Sequence, residues 1–80
     1  MRIVEEIPHP QFKITVFSWN NKYILKIEIG QFEQVYKVNE MDVAGLDDIH
    51  AMLTPQFLEN VMQRFIAMRA DFAEAYKNIQ

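Results

Sequence analysis

Lys22–Ile29 (KYILKIEI) alternates without a break, and no other feature constrains the chain as much. Successive side chains of an extended strand leave opposite faces. Tyr23, Leu25, Ile27 and Ile29 therefore point one way, and Lys22, Ile24, Lys26 and Glu28 the other. A two-residue turn signal stands at each end, Asn20-Asn21 before and Gly30-Gln31 after. That pattern predicts the central strand of an antiparallel meander.

The two turns fix the neighbouring registers. With Asn20-Asn21 as a hairpin loop, Trp19 faces Lys22, and Phe17, Thr15 and Lys13 face Ile24, Lys26 and Glu28. Ser18, Val16, Ile14 and Phe12 then join the Tyr23 to Ile29 face. Glycine at the first position of Gly30-Gln31 suits a type II′ turn, which needs positive φ there. That loop adds Phe32, Gln34, Tyr36 and Val38 to the same face. Both turns select one apolar face, which a slip of one residue would destroy. Met1–Ile7 alternates well enough for a fourth, N-terminal edge strand with Ile3, Glu5 and Ile7 on one side, stopped by Pro8 and Pro10.

Toward the C-terminus, Asn39–Leu53 is broken by Gly45, with room for a short helix from about Asp47 to Met52. Thr54-Pro55 then reads as an N-cap followed by proline at the first helical position. Leu53 and Leu58 are spaced as a hydrophobic staple. From there to about Asn78 nothing breaks a helix, and Leu58, Val61, Met62, Phe65, Phe72 and Tyr76 share one side of it. Phe57, Ile66, Met68 and Ile79 lie at the margins of that side. The expected fold is α+β, a three-stranded antiparallel meander, with a fourth edge strand from the N-terminus, and one long C-terminal helix laid on one face. Residues 1–80 make a single domain.

Composition narrows the function classes. The chain has no cysteine, so neither a disulfide framework nor a thiolate metal site is available. No apolar run approaches the roughly 20 residues that span a bilayer, and Arg2, Glu5 and Glu6 stand where a leader would be apolar. The expectation is a cytoplasmic chain without membrane contact. One serine and two glycines leave no nucleophile elbow, P-loop or dinucleotide fingerprint. Asp47, Asp48 and His50 are the one cluster with metal-ligand chemistry, and two of them on a helix face read more simply as a cap and a surface histidine. No catalytic residue, cofactor or metal is expected, and the chain reads as a binding module and not an enzyme.

Two surfaces could bind. A helix of about 24 residues is about 36 Å long, whereas eight-residue strands reach only about 27 Å. The helix must overhang, and the end carrying Phe72, Tyr76 and Ile79 gains by burial against a second copy. Met68, Arg69, Phe72, Tyr76 and Ile79 are the expected homodimer contacts, with Arg69 either at the rim with its stem on an aromatic ring or in an ion pair between subunits. The other surface is the outer sheet face. Lys13, Lys22, Lys26 and Lys37 stand there among Phe17, Trp19, Ile24 and Val35, opposed by Glu28 and Glu33. Lysines between aromatic rings on an open sheet suit single-stranded nucleic acid, while lysine on an exposed sheet is also an ordinary guard against aggregation. A meander followed by a long helix resembles, in topology, the Whirly-type single-stranded DNA binders, which implies the same use of the sheet. The net charge of −3 argues the other way. A protein-interaction or assembly module, homodimeric, is the leading expectation; single-stranded nucleic-acid binding is the alternative.

Overall fold

The computed structural model describes residues 1–79. Four strands form one antiparallel sheet in chain order: β1 (Arg2–Ile7), β2 (Lys13–Trp19), β3 (Lys22–Ile29) and β4 (Phe32–Asn39). A 3₁₀ turn at Glu40–Asp42 leads to α1 (Leu46–Met52), and then comes the long helix α2 (Pro55–Tyr76), whose end tightens to a 3₁₀ turn at Lys77–Ile79.

Both hairpins have the expected register. Trp19 pairs with Lys22 and Lys13 with Glu28 across the first, and Ile29 with Phe32 and Leu25 with Tyr36 across the second. Asn20 and Asn21 both take positive φ (54° and 62°), as a type I′ turn requires, and asparagine tolerates that region better than most residues. In the second turn only Gly30 does so, at 57°.

The N-terminal strand is the fourth strand and pairs with β2. Its alternation fails at one point. The register shifts between Ile3 and Glu5, so Val4 is the extra residue of a bulge. Ile3 consequently pairs with Phe17 on the outer face and stays exposed, while Val4 and Ile7 pack on the core. The expected grouping of Ile3 with Glu5 and Ile7 is corrected by that bulge.

The core lies between the inner sheet face and the helices. Ile14, Val16, Leu25 and Ile27 from the sheet, with Phe12 just before β2, meet Ile49 of α1 and Val61 and Phe65 of α2. Thr54 caps α2 as its position suggested, its Oγ1 accepting the Phe57 N–H at 3.1 Å. Leu53 and Leu58 both pack against the core. The segment before α2 is the least determined by pattern; Ile49 anchors it in the core, and polar contacts add to that. Glu40 accepts a hydrogen bond from Ser18 Oγ at 3.3 Å, Asp48 accepts the Ala44 N–H at 2.7 Å, and His50 Nε2 lies 2.6 Å from Glu5 Oε1. That last contact ties α1 to β1. Among the described residues no group of three acidic or histidine side chains could hold a metal ion.

α2 crosses the inner face obliquely. On one flank it faces Ile29 to Phe32, on the other Gln34 and Tyr36 of β4. The longest dimension of the molecule is 47 Å, well beyond the strands, because the end of α2 runs on past the sheet.

Candidate functional site

Two surfaces carry the expected binding residues, and α2 decides the first. Its buried residues, Val61 and Phe65, belong to the half that lies on the sheet. Leu58 and Met62 are half-buried beside them. Beyond Arg69 the same side of the helix has less beneath it. Phe72 meets Phe32 edge to face at 5.6 Å and Tyr76 at 5.9 Å, yet Phe72 is 45% exposed, Tyr76 49% and Ile79 76%. Those aromatic contacts lie against the last turns without covering them.

Met68 is separate from this group. It is half-buried, packs against the core and stands on the β4 flank with Gln34 and Tyr36. Arg69 is exposed and, among the described residues, forms no ion pair. Its side chain borders an apolar groove of about 410 Å³, whose walls are Ile29, Phe32, Met62, Phe65 and Ile66. Ile66, 55% exposed, was read only as marginal in the sequence and here continues the apolar surface. The groove could not be read from periodicity, since it forms where a turn and a helix converge.

A polar cluster clamps the opposite flank. Gln34 Nε2 donates to the Val61 carbonyl at 3.0 Å, while its Oε1 accepts from Tyr36 Oη at 2.7 Å and from Arg64 Nε at 3.1 Å. Arg64 Nη2 adds a bond to Tyr36 Oη at 3.1 Å. No half-buried atom of the cluster is orphaned, which is what lets glutamine stand on an apolar face. Gln34, the one polar residue within the inner face of β4, was the signal in sequence; Arg64 gave none.

The outer sheet face is the second surface. Lys13 and Lys37 are exposed and Lys22 half-buried, and none of the three pairs with an acid among the described residues. Lys26 does. It bridges Glu33 at 3.3 Å and Glu28 at 3.5 Å and lies 6.0 Å from the Phe17 ring centre. Hydrogen bonding to Glu33, then the charges of Glu28 and Glu33, raise its ammonium above the ordinary lysine range. Ile24, at the middle of this face, is only 6% exposed although it lies outside the core cluster. Its neighbours Phe17 and Lys37 pair directly across from it, which sets their side chains beside it on the same face. Trp19 is 52% exposed at the end of β2, and Val35 is exposed on β4. Trp19 is thus the ring most open for stacking, with Phe17 half-buried beside Lys26.

None of the four helices is long and apolar enough to cross a membrane among the described residues. Compared with protein-family models, characterised proteins and solved structures, the chain has no match.

Proposed function

We propose that the chain is a non-enzymatic interaction module that assembles as a homodimer through the projecting end of α2. One observation carries this reading. Phe72, Tyr76 and Ile79 are each at least 45% exposed and succeed one another along the part of the helix that leaves the sheet, while Ile66, 55% exposed, borders the groove where the helix still faces the sheet. Scattered exposed apolar residues need no explanation, whereas a contiguous apolar surface on a rigid element marks a contact site. Taking such a side chain from full exposure to full burial is worth roughly 1.5–3 kcal/mol, and the half still exposed here keeps part of that gain for a partner that covers it.

Sedimentation equilibrium tests it. The wild-type chain should sediment at twice 9.5 kDa at micromolar concentration. Phe72→Glu should give a folded monomer with unchanged far-ultraviolet dichroism, because Phe72 lies beyond the buried part of the core. A wild-type monomer up to millimolar concentration would refute the reading.

Trp19 favours a second reading. An exposed indole whose strand partner is Lys22, with Lys13 and Lys37 unpaired on the same face, suits stacking of a base with lysines at its phosphates. Burial of Ile24 removes apolar contact area from that face, and neutralisation of Lys26 by Glu28 and Glu33 leaves it less basic than its composition suggests, so we rank it second.

A further inference from the structure

One row of residues along α2 follows a stricter pattern than one apolar side. Leu58, Met62, Phe65, Arg69, Phe72, Tyr76 and Ile79 are spaced alternately by four and three residues, the spacing of a seam that meets a second helix. The sheet covers the first three positions and leaves the last four open. In the closing 3₁₀ turn, residues three apart eclipse, so Ile79 stays in line with Tyr76. The seam thus changes partner along its length, from the sheet to whatever lies beyond it.

Resting on the homodimer reading, we infer that the second copy pairs its own α2 end antiparallel to this one, about a two-fold axis at Glu74. Arg69 selects this direction. A parallel pair would set Arg69 against Arg69 within the seam, two like charges in a partly desolvated contact. It would also bring both sheets to the same end of the helix pair. The antiparallel pair sets Phe72 against Tyr76 of the second copy, twice, and Arg69 against its Ile79. There the guanidinium meets the C-terminal carbonyls of the other helix, the negative end of its dipole. The one basic residue of the helix's own closing turn, Lys77, is drawn back to Glu74 at 3.3 Å.

Two further features fit the same geometry. The positions flanking the open seam are Ala73 and Ala75, each of which faces its own copy across the axis. They carry no charge to repel and no bulk to hold the helices apart. The groove of about 410 Å³ beside Arg69 lies where Ile79 of the second copy arrives, and its walls of Ile29, Phe32 and Ile66 are apolar. The groove is therefore completed by a residue from the other chain. Isologous contact of this kind closes on itself at two copies.

The chain has no cysteine, which makes the test direct. Ala73→Cys and Ala75→Cys should each give a disulfide-linked dimer on mild oxidation, and Glu74→Cys, on the outer side of the pair, should not. Spin labels on Asn60→Cys should lie about 42 Å apart along the helix axis, set by 28 residues of rise, and labels on Glu74→Cys about 20 Å apart. A dimer by sedimentation whose Asn60 labels are closer than its Glu74 labels, or which forms no Ala73 disulfide, overturns the antiparallel pairing while leaving the homodimer standing. A monomer at millimolar concentration overturns both.

Discussion

At the residue scale, the two sides of β3 carry very different energetic weight. Ile27 is fully buried against Ile14 and Gln34 on its neighbouring strands, and truncating it opens a cavity that the surrounding side chains only partly fill. Ile27→Ala should cost about 2–5 kcal/mol in urea unfolding. Lys26 next to it makes two ion pairs, but both lie at the partly exposed outer face where solvent screens them, so Lys26→Ala should stay within about 0.5 kcal/mol of wild type. Reversed costs would mean that the two faces had been exchanged. This contrast was legible in the sequence, because period-two alternation fixes which residues share a face. Burial of Ile24 was not. It depends on how long side chains on three strands fold over one another, which no single-strand pattern encodes.

At the scale of elements, what could be read was what local chemistry decides. Asn20-Asn21 and Gly30-Gln31 set two registers because the backbone there needs positive φ, and Thr54-Pro55 set the start of α2 because its first N–H groups need an acceptor. Thr54→Ala should therefore cost about 0.5–2 kcal/mol, with the loss seen as fraying of the first turn by amide exchange at Phe57. Unchanged protection at Phe57 would show that Pro55 alone starts the helix. The elements that escaped the sequence are held from a distance. The bulge at Val4 follows from how β1 meets β2, and α1 is fastened by His50 to a glutamate 45 residues away. The clamp of Arg64 on Gln34 and Tyr36 spans about 30 residues in the same way. Overhang of α2 could be foreseen from lengths alone, but the groove beside it required the angle at which the helix crosses the sheet.

Across the whole molecule, the two candidate surfaces are well separated, since Trp19 lies at the Asn20-Asn21 end of the strands and α2 leaves beside Phe32 at the other. The two readings can thus be tested independently. If the outer sheet face binds single strands, adding an oligonucleotide should quench Trp19, and affinity should fall steeply with salt. Lys22→Glu with Lys26→Glu should abolish that binding and leave sedimentation unchanged. No quenching at low salt, across several base compositions, would remove the nucleic-acid reading and leave the assembly reading untouched. The sheet order β1-β2-β3-β4 carries one more consequence. An open sheet has two rims along which chains can add without limit, and here both are defended. Val4 bulges one rim and Pro8 ends it, while Glu33 and Lys37 charge the other and α2 passes out above it. Growth by strand addition is discouraged on both sides, so the helix-mediated pairing proposed above would leave association at a finite number instead of running on into a fibre.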